Sequence, residues 1–485
     1  MNSLLPLLHV IGVIVGILAM TMFVPVAFEW GAGDGALGSF LKALLLTAAS
    51  GLGLYLATRR YRRELRPRDG FLLVTLVWTV LPAFATLPLM FQLPAMSFTD
   101  AYFETVSGLT TTGATVMTGL ETLPVSINVW RCLLVLLGGM GIIVLAVAIL
   151  PLLGVGGSQI YKAETPGPMK DTKLTPRIAE TARGLWAVYF GASVVCFFSY
   201  AAAGMGWADA FMHMCSTMGL GGFSSYDASF GAFQSPAIEA VAVCFMTLAG
   251  INFALYFMVW KKRSVAVVLR DVEARTYLGV LVFGVLAVAL LLVAHGTYPS
   301  FAESLRHAAF NVVSIATTTG YASVDYAQWP VFAPVLMLLM CCFATCAGST
   351  GGGIKMVRAL ILVKQARREM VRIVHPHAVN PVRIGAAVVD NTVLFSVLAF
   401  MLVYGATVMF MTLLLLLSGL DLVTAASAVV ACINNTGPGL GQVGPAGNFQ
   451  GLSDFQTWVC TATMLLGRLE LFSILVLFSP QFWRK

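Results

Sequence analysis

DAYFETVSGLTTTG, residues 100–113, is too short and too polar to cross a bilayer, yet long apolar segments flank it on both sides. The same pattern returns three more times in degraded form. With Gly113 as position zero and no gaps allowed, position minus 13 is Asp100 and the next residue is Ala101. Around Gly222 the same offsets give Asp209 and Ala210, around Gly320 His307 and Ala308, and around Gly437 Thr424 and Ala425. Position minus 6 is Ser107, Ser216, Ser314 and Ala431, and the four elements end in TTTG, GLGG, TTTG and NNTG. A fixed internal repeat is the first thing to settle in any chain, and four similar short elements around one axis make a ring.

Composition agrees with a ring inside a membrane. Of 485 residues, 58% are hydrophobic and only 11% charged, far from the balance of a water-soluble domain. In a bilayer the apolar side chains can face lipid, so no outsized core is needed. The net charge of +7 does not point to nucleic acid. Of the 29 lysines and arginines, all but Lys42, Arg131, Arg306 and Arg468 fall in clusters at 59–68, 162–183, 261–275, 355–383 and 484–485. Under the positive-inside rule these are cytoplasmic loops. The nine cysteines form no CxxC pair and no metal-ligand spacing, so packing is their expected role.

A spanning helix needs about 20 mostly apolar residues. Ten segments qualify, at about 4–25, 36–58, 71–91, 131–154, 184–205, 237–260, 277–295, 330–363, 386–418 and 456–479. The predicted fold is therefore all-α and polytopic: an N-terminal helix pair, residues 1–69, followed by four pseudo-symmetric helix–pore loop–helix units at 70–160, 161–264, 265–372 and 373–485. Both termini are expected in the cytoplasm. Irregular backbone at membrane depth is tolerated only where protein buries it or water reaches it, so four loops ending in glycine must line something shared. Acidic residues such as Asp100, Glu104, Glu121, Asp227 and Glu239 fall at the outer ends or in the re-entrant elements. An outer vestibule carrying their negative charge would concentrate cations.

Backbone carbonyls can replace the water of a dehydrated cation only where the loop turns its C=O groups inward, and glycine allows the positive φ such a turn requires. Positions minus 2 and minus 1 are Thr111 and Thr112, Leu220 and Gly221, Thr318 and Thr319, and Asn435 and Thr436. Leu220 has no side-chain oxygen, so coordination by main chain is the scheme that treats all four loops alike. One such run alone reads as a turn capping a short helix. Four in ungapped register, each between long spans, read as a pore.

These residues resemble the Trk/Ktr/HKT superfamily of potassium transporters, and its bacterial TrkH branch in particular. The resemblance covers nearly the whole chain, including the extra N-terminal pair, TTGATV at 111–116, GGFSSYDAS at 221–229, TTTGYASVDY at 317–326 and NNTGPGLG at 434–441. It implies four fused pore units around one pathway, each supplying a single filter glycine. By register these are Gly113, Gly222, Gly320 and Gly437, with Gly221 competing in the second loop. The transported ion is then K⁺ and the chain itself carries no organic cofactor. The resemblance further implies the inner membrane of a bacterium, a homodimer in lipid, and a cytoplasmic nucleotide-binding partner of the TrkA type acting in trans.

Two more features gain meaning from it. CAGSTGGG at 346–353 interrupts the eighth span, and glycines such as Gly348, Gly351, Gly352 and Gly353 cannot sustain a stiff helix. The family places an intramembrane gating loop here. Arg468 lies in the last span, where a charge is costly and faces water or a partner; in the family a basic residue of this helix forms a barrier in the pore. Arg468 and Glu470, two residues apart, do not face each other on a helix. Glu104, His213 and Asn311, all at position minus 9, are expected to brace their pore helices. His375 and His377 flank Pro376 in a basic, solvated stretch. No nucleophile with its base and no GxxxxGK[ST] loop occurs, so an enzyme is not expected. The rival readings are a Na⁺-selective or Na⁺- or H⁺-coupled carrier and, from another class, a membrane scaffold or receptor with vestigial repeats.

Overall fold

The computed structural model describes residues 4–61, 67–144, 174–385 and 387–484. The basic residues expected at 162–173, those at 62–66, Lys485 and the inner end of the fourth span at 145–154 lie outside them. Helices dominate, and the described strands are a two-residue hairpin, Arg383–Ile384 paired with Ala387–Val388.

Among the described residues six helices are long and apolar enough to cross a membrane unbroken: Leu5–Ala32, Leu37–Tyr61, Arg68–Gln92, Arg183–Ala202, Val272–Ala294 and Asn391–Leu417. Their outward residues, Leu45, Phe198, Phe283 and Leu402 among them, stay exposed, as lipid-facing side chains must. The first two lie against each other at glycines. A β-carbon on Gly51 would meet Gly16 N at 2.8 Å and Gly12 O at 2.9 Å, the small-residue packing that brings backbones together in lipid.

Two segments predicted as single spans are broken instead. Pro236–Ala249 and Phe253–Lys262 meet at 89°, and Asp454–Arg468 and Phe472–Phe478 at 103°. The first break is stabilised from outside. Gly250 O accepts from Cys346 N at 3.0 Å and Phe253 N donates to Gly348 O at 3.1 Å, so the interrupted eighth span supplies the hydrogen bonds that helix continuation would have given. Pattern reading along 237–260 could not find this, because the partner lies about a hundred residues downstream. At the second break Glu470 and Leu471 both take positive φ, 54° and 48°. The eighth segment itself runs as Phe332–Phe343, a non-helical stretch, then Met356–Val374.

Between the long helices sit four short ones, Phe98–Leu109, Trp207–Gly219, Phe301–Ala316 and Leu422–Ile433. Ser97, Ser300 and Asp421 cap three of them by accepting the amide three residues on, that of Asp100, Glu303 and Thr424, which satisfies donors the first turn leaves open. Their C-terminal residues are all buried. Four helix C-termini, each carrying partial negative charge, therefore end in the interior of the protein.

Candidate functional site

Each short helix ends in the same cap. The amide at position minus 1 donates to the carbonyl at minus 6: Thr112 to Ser107 at 2.8 Å, Gly221 to Ser216 at 3.0 Å, Thr319 to Ser314 at 2.8 Å and Thr436 to Ala431 at 2.9 Å. The amide at minus 2 donates to the carbonyl three residues back in every case, with N···O distances of 2.9–3.2 Å. This is the Schellman arrangement, whose left-handed residue is usually glycine. Here that residue is Thr111, Leu220, Thr318 or Asn435, at φ of 53°, 53°, 60° and 54°. Left-handed backbone costs an L-residue about 1–2 kcal/mol, and such strain gathers at functional sites.

Two residues later the chain turns left-handed again, at Gly113 (φ 78°), Gly222 (65°), Gly320 (89°) and Gly437 (93°). Gly221 does not; it takes the place of Thr112, Thr319 and Thr436. The four loops then close on one another. A β-carbon on Gly113 would meet Gly221 O, one on Gly222 would meet Thr319 O, one on Gly320 would meet Thr436 O, and one on Gly437 would meet Thr112 O at 2.7 Å, every approach under 3.0 Å. Position zero of each loop thus abuts the minus 1 carbonyl of the next, in chain order, and the fourth returns to the first.

Above this ring lies a cavity of about 220 Å³ lined by all four glycines. Its charged lining residues are Arg131 and Asp227. The Asp227 carboxylate accepts from the amides of Gly119 and Leu120, at 2.7 and 3.0 Å. Glu104 is paired with Arg131 at 2.7 Å, both 1% exposed, and Glu239 with Arg306 at 2.6 Å. These three carboxylates are held in structural contacts.

In the first three units the residue at position minus 9 of the short helix braces the descending limb. Glu104 accepts from Thr115 Oγ1 at 2.9 Å and from Val116 N at 3.0 Å. His213 Nε2 meets Ser224 Oγ at 2.9 Å. Asn311 Nδ2 donates to Ser323 Oγ at 3.0 Å. In the fourth unit Ser427 Oγ accepts from Leu440 N at 2.8 Å. Arg131, one of the four basic residues outside the clusters, is the centre of the first brace. It also donates to Ser224 O at 3.2 Å and lies 4.4 Å over the Phe223 ring, so it ties the first loop to the second. An isolated charge in an apolar helix was the signal for it.

Below the ring lies the non-helical stretch of the eighth segment. Gly352 N donates to Thr318 Oγ1 at 2.9 Å, Thr350 Oγ1 donates to Met218 O at 3.0 Å, and a β-carbon on Gly352 would strike Asn434 O. The stretch therefore touches the ends of three of the short helices. Gly348 and Gly353 carry positive φ, 75° and 82°, Lys355 Nζ donates to Gly351 O, and Gly351 packs beside Thr345 and Thr318. Arg468, 1% exposed, donates to Thr350 O and to Gly138 O, each at 3.1 Å. Glu470 pairs instead with Arg358 at 2.8 Å. Three buried oxygens on the ring, Thr111 Oγ1, Thr436 Oγ1 and Asn435 Oδ1, have no hydrogen-bond partner among the described residues. Buried polar atoms without partners are rare enough to require a reason.

The model of one protein family, cation transport protein TrkH, matches residues 37–485. The chain belongs to the TrkH family. Among TrkH relatives, the "Trk system potassium uptake protein TrkH" of Halomonas elongata is 44% identical over 484 residues, covering 100% of both chains. The protein of that name from Escherichia coli (strain K12) is 44% identical over 478 residues, 98% of this chain and 99% of that one. The potassium transporter TrkH from Vibrio parahaemolyticus, solved as a crystal structure, superposes with a TM-score of 0.92 at 40% identity over 99% of this chain and 100% of that chain. The polytopic membrane-transporter fold is thus shared with that protein at full length. These relatives are named as uptake proteins, which is transport and not enzymatic catalysis.

Proposed function

We propose that this chain takes up potassium, with rubidium as its analogue, across the bacterial inner membrane through the ring of Gly113, Gly222, Gly320 and Gly437. The cyclic abutment of glycine and carbonyl carries the reading: four non-identical loops from one chain close into a single ring in which each glycine lies against a main-chain oxygen of the next loop. The carbonyls at positions minus 2 and minus 1, of Thr111 and Thr112, Leu220 and Gly221, Thr318 and Thr319, and Asn435 and Thr436, are the ligands. Exchange of hydration water for fixed carbonyl dipoles selects the ion, and four helix C-termini favour positive charge beside it.

The stretch containing 346–353 is the gate, and Arg468 holds it. With Thr350 O on its guanidinium, this arginine both anchors the loop and places a fixed positive charge beneath the ring, in a medium where charge is poorly screened. Opening requires the loop to retract. A cytoplasmic nucleotide-binding subunit, bound to the basic inner face, drives that retraction, and two copies of the chain assemble in the membrane with both termini inside. The five segments 1–69, 70–160, 161–264, 265–372 and 373–485 are its structural units. Purified protein in liposomes should take up Rb⁺ and K⁺ without a Na⁺ or proton gradient, and Na⁺ much more slowly. Equal Rb⁺ and Na⁺ uptake, or uptake only with a second ion gradient, overturns the reading.

A further inference from the structure

The stretch beneath the ring is held at its far side by a residue outside all four pore loops. Glu273 follows Val272 at the start of the helix Val272–Ala294 and is 1% exposed. A single oxygen of its carboxylate, Oε1, accepts from Ala347 N at 2.7 Å and from Val357 N at 3.1 Å. Those amides sit on the two limbs of the loop, one after it leaves Phe332–Phe343 and one after it joins Met356–Val374. One carboxylate therefore clasps both limbs. Hydrogen bonds to an ionised acceptor are roughly twice as strong as neutral ones. A buried carboxylate is also costly unless its oxygens are used, so a site needing only packing would hold an apolar side chain.

The clasp adjoins the surface. Asp271 Oδ1 accepts from Ala274 N at 2.8 Å and fixes the turn that carries Glu273. Ala347 and Val357 share a small core with Val382 and Ile384 of the hairpin, and Val272 packs against it. Exposed Arg270, with Lys261, Lys262 and Arg263 before it, leads directly into that turn. A force on this basic surface or on the hairpin reaches the loop through one packed cluster, without crossing the ring.

We propose that Glu273 is the positioning residue that keeps the intramembrane loop across the pathway, and that displacement of the adjoining surface opens the pathway by withdrawing its carboxylate. This rests on the reading of the loop as the gate. Without the carboxylate, the amides of Ala347 and Val357 lose their acceptor, and the loop must admit water or leave.

The test uses full-length protein in liposomes with no partner present, comparing the parent, Glu273→Gln, Glu273→Ala and a variant lacking 351–353. Rb⁺ and Na⁺ uptake are measured at equal protein level. Maleimide labelling of Cys346, a loop residue 1% exposed, is followed on its own peptide by mass spectrometry. Glu273→Ala should raise Rb⁺ uptake on the order of tenfold, and Glu273→Gln less, because its amide oxygen still accepts. The Rb⁺/Na⁺ ratio should stay at the parental value, and Cys346 labelling should speed up in the same order. If the 351–353 deletion raises uptake and neither Glu273 variant does, the role of Glu273 is overturned while the gate stands. If none of the three exceeds the parent, the gate reading fails and this inference with it. If the Glu273 variants lose selectivity as they gain flux, the residue is a general support and the proposal is wrong. Should Glu273→Ala not yield folded protein, Glu273→Gln, which keeps the shape, decides alone.

Discussion

The neighbouring glycines of the second loop offer a demanding test, because a single methyl group is placed one residue apart. In Gly222→Ala the new β-carbon would lie on Thr319 O, in a backbone at φ 65°. Left-handed strain adds about 1–2 kcal/mol, and overpacking against a main-chain oxygen about 1–3 kcal/mol. That oxygen belongs to the third loop, so relief comes by rotating a carbonyl proposed to bind the ion. With 1.4 kcal/mol to each factor of ten, the intact ring should be depopulated at least about tenfold, and the preference for Rb⁺ over Na⁺ should fall with it. In Gly221→Ala the methyl group would meet Val135 Cγ1 and, at 3.0 Å, the Thr111 backbone, and φ is not positive. Overpacking remains and the left-handed term does not. Paired Rb⁺ and Na⁺ uptake into liposomes, with monodispersity as the folding control, should show Gly222→Ala losing far more selectivity. The reverse order would break the ring register and the ligand assignment built on it.

Arg131→Met should leave Glu104 buried and unpaired, and lower stability by about 3–5 kcal/mol; thermal unfolding in detergent should show the loss, and adding Glu104→Gln should restore most of it. Arg468→Ala removes the hydrogen bond to Thr350 O and the charge beneath the ring, so partner-free Rb⁺ uptake should rise several-fold with the Rb⁺/Na⁺ ratio unchanged; uptake at or below the parent places the gate elsewhere. Arg367 is exposed on Met356–Val374, whereas Arg368 is partly buried beside Glu369 and Asn391. Arg367→Glu should therefore weaken binding of the proposed nucleotide-binding subunit more at low salt than at high salt, measured by surface plasmon resonance; a salt-independent result removes charge steering from that face.

Hydrophobic runs, glycines and the offset of Gly113, Gly222, Gly320 and Gly437 are properties of the chain read locally, and they suffice to establish a membrane protein with four repeated loops. The interruption at 346–353 was legible for the same reason, since three adjacent glycines weaken a helix wherever it lies. The S/T/N/G runs were open to two readings, helix cap or ring element. They are both, because the left-handed residue that closes each cap also launches the loop toward its neighbour. What only the tertiary structure decided is each relation that spans the chain: which carbonyl forbids a β-carbon on which glycine, why the sixth segment breaks at Gly250, that Arg131 and Arg306 pair with Glu104 and Glu239, and that Glu273 holds both limbs of a loop far from it in sequence. Hydrophobic burial is non-directional and leaves a periodic trace in composition, whereas a hydrogen bond or a steric exclusion depends on two particular atoms that the fold alone brings together.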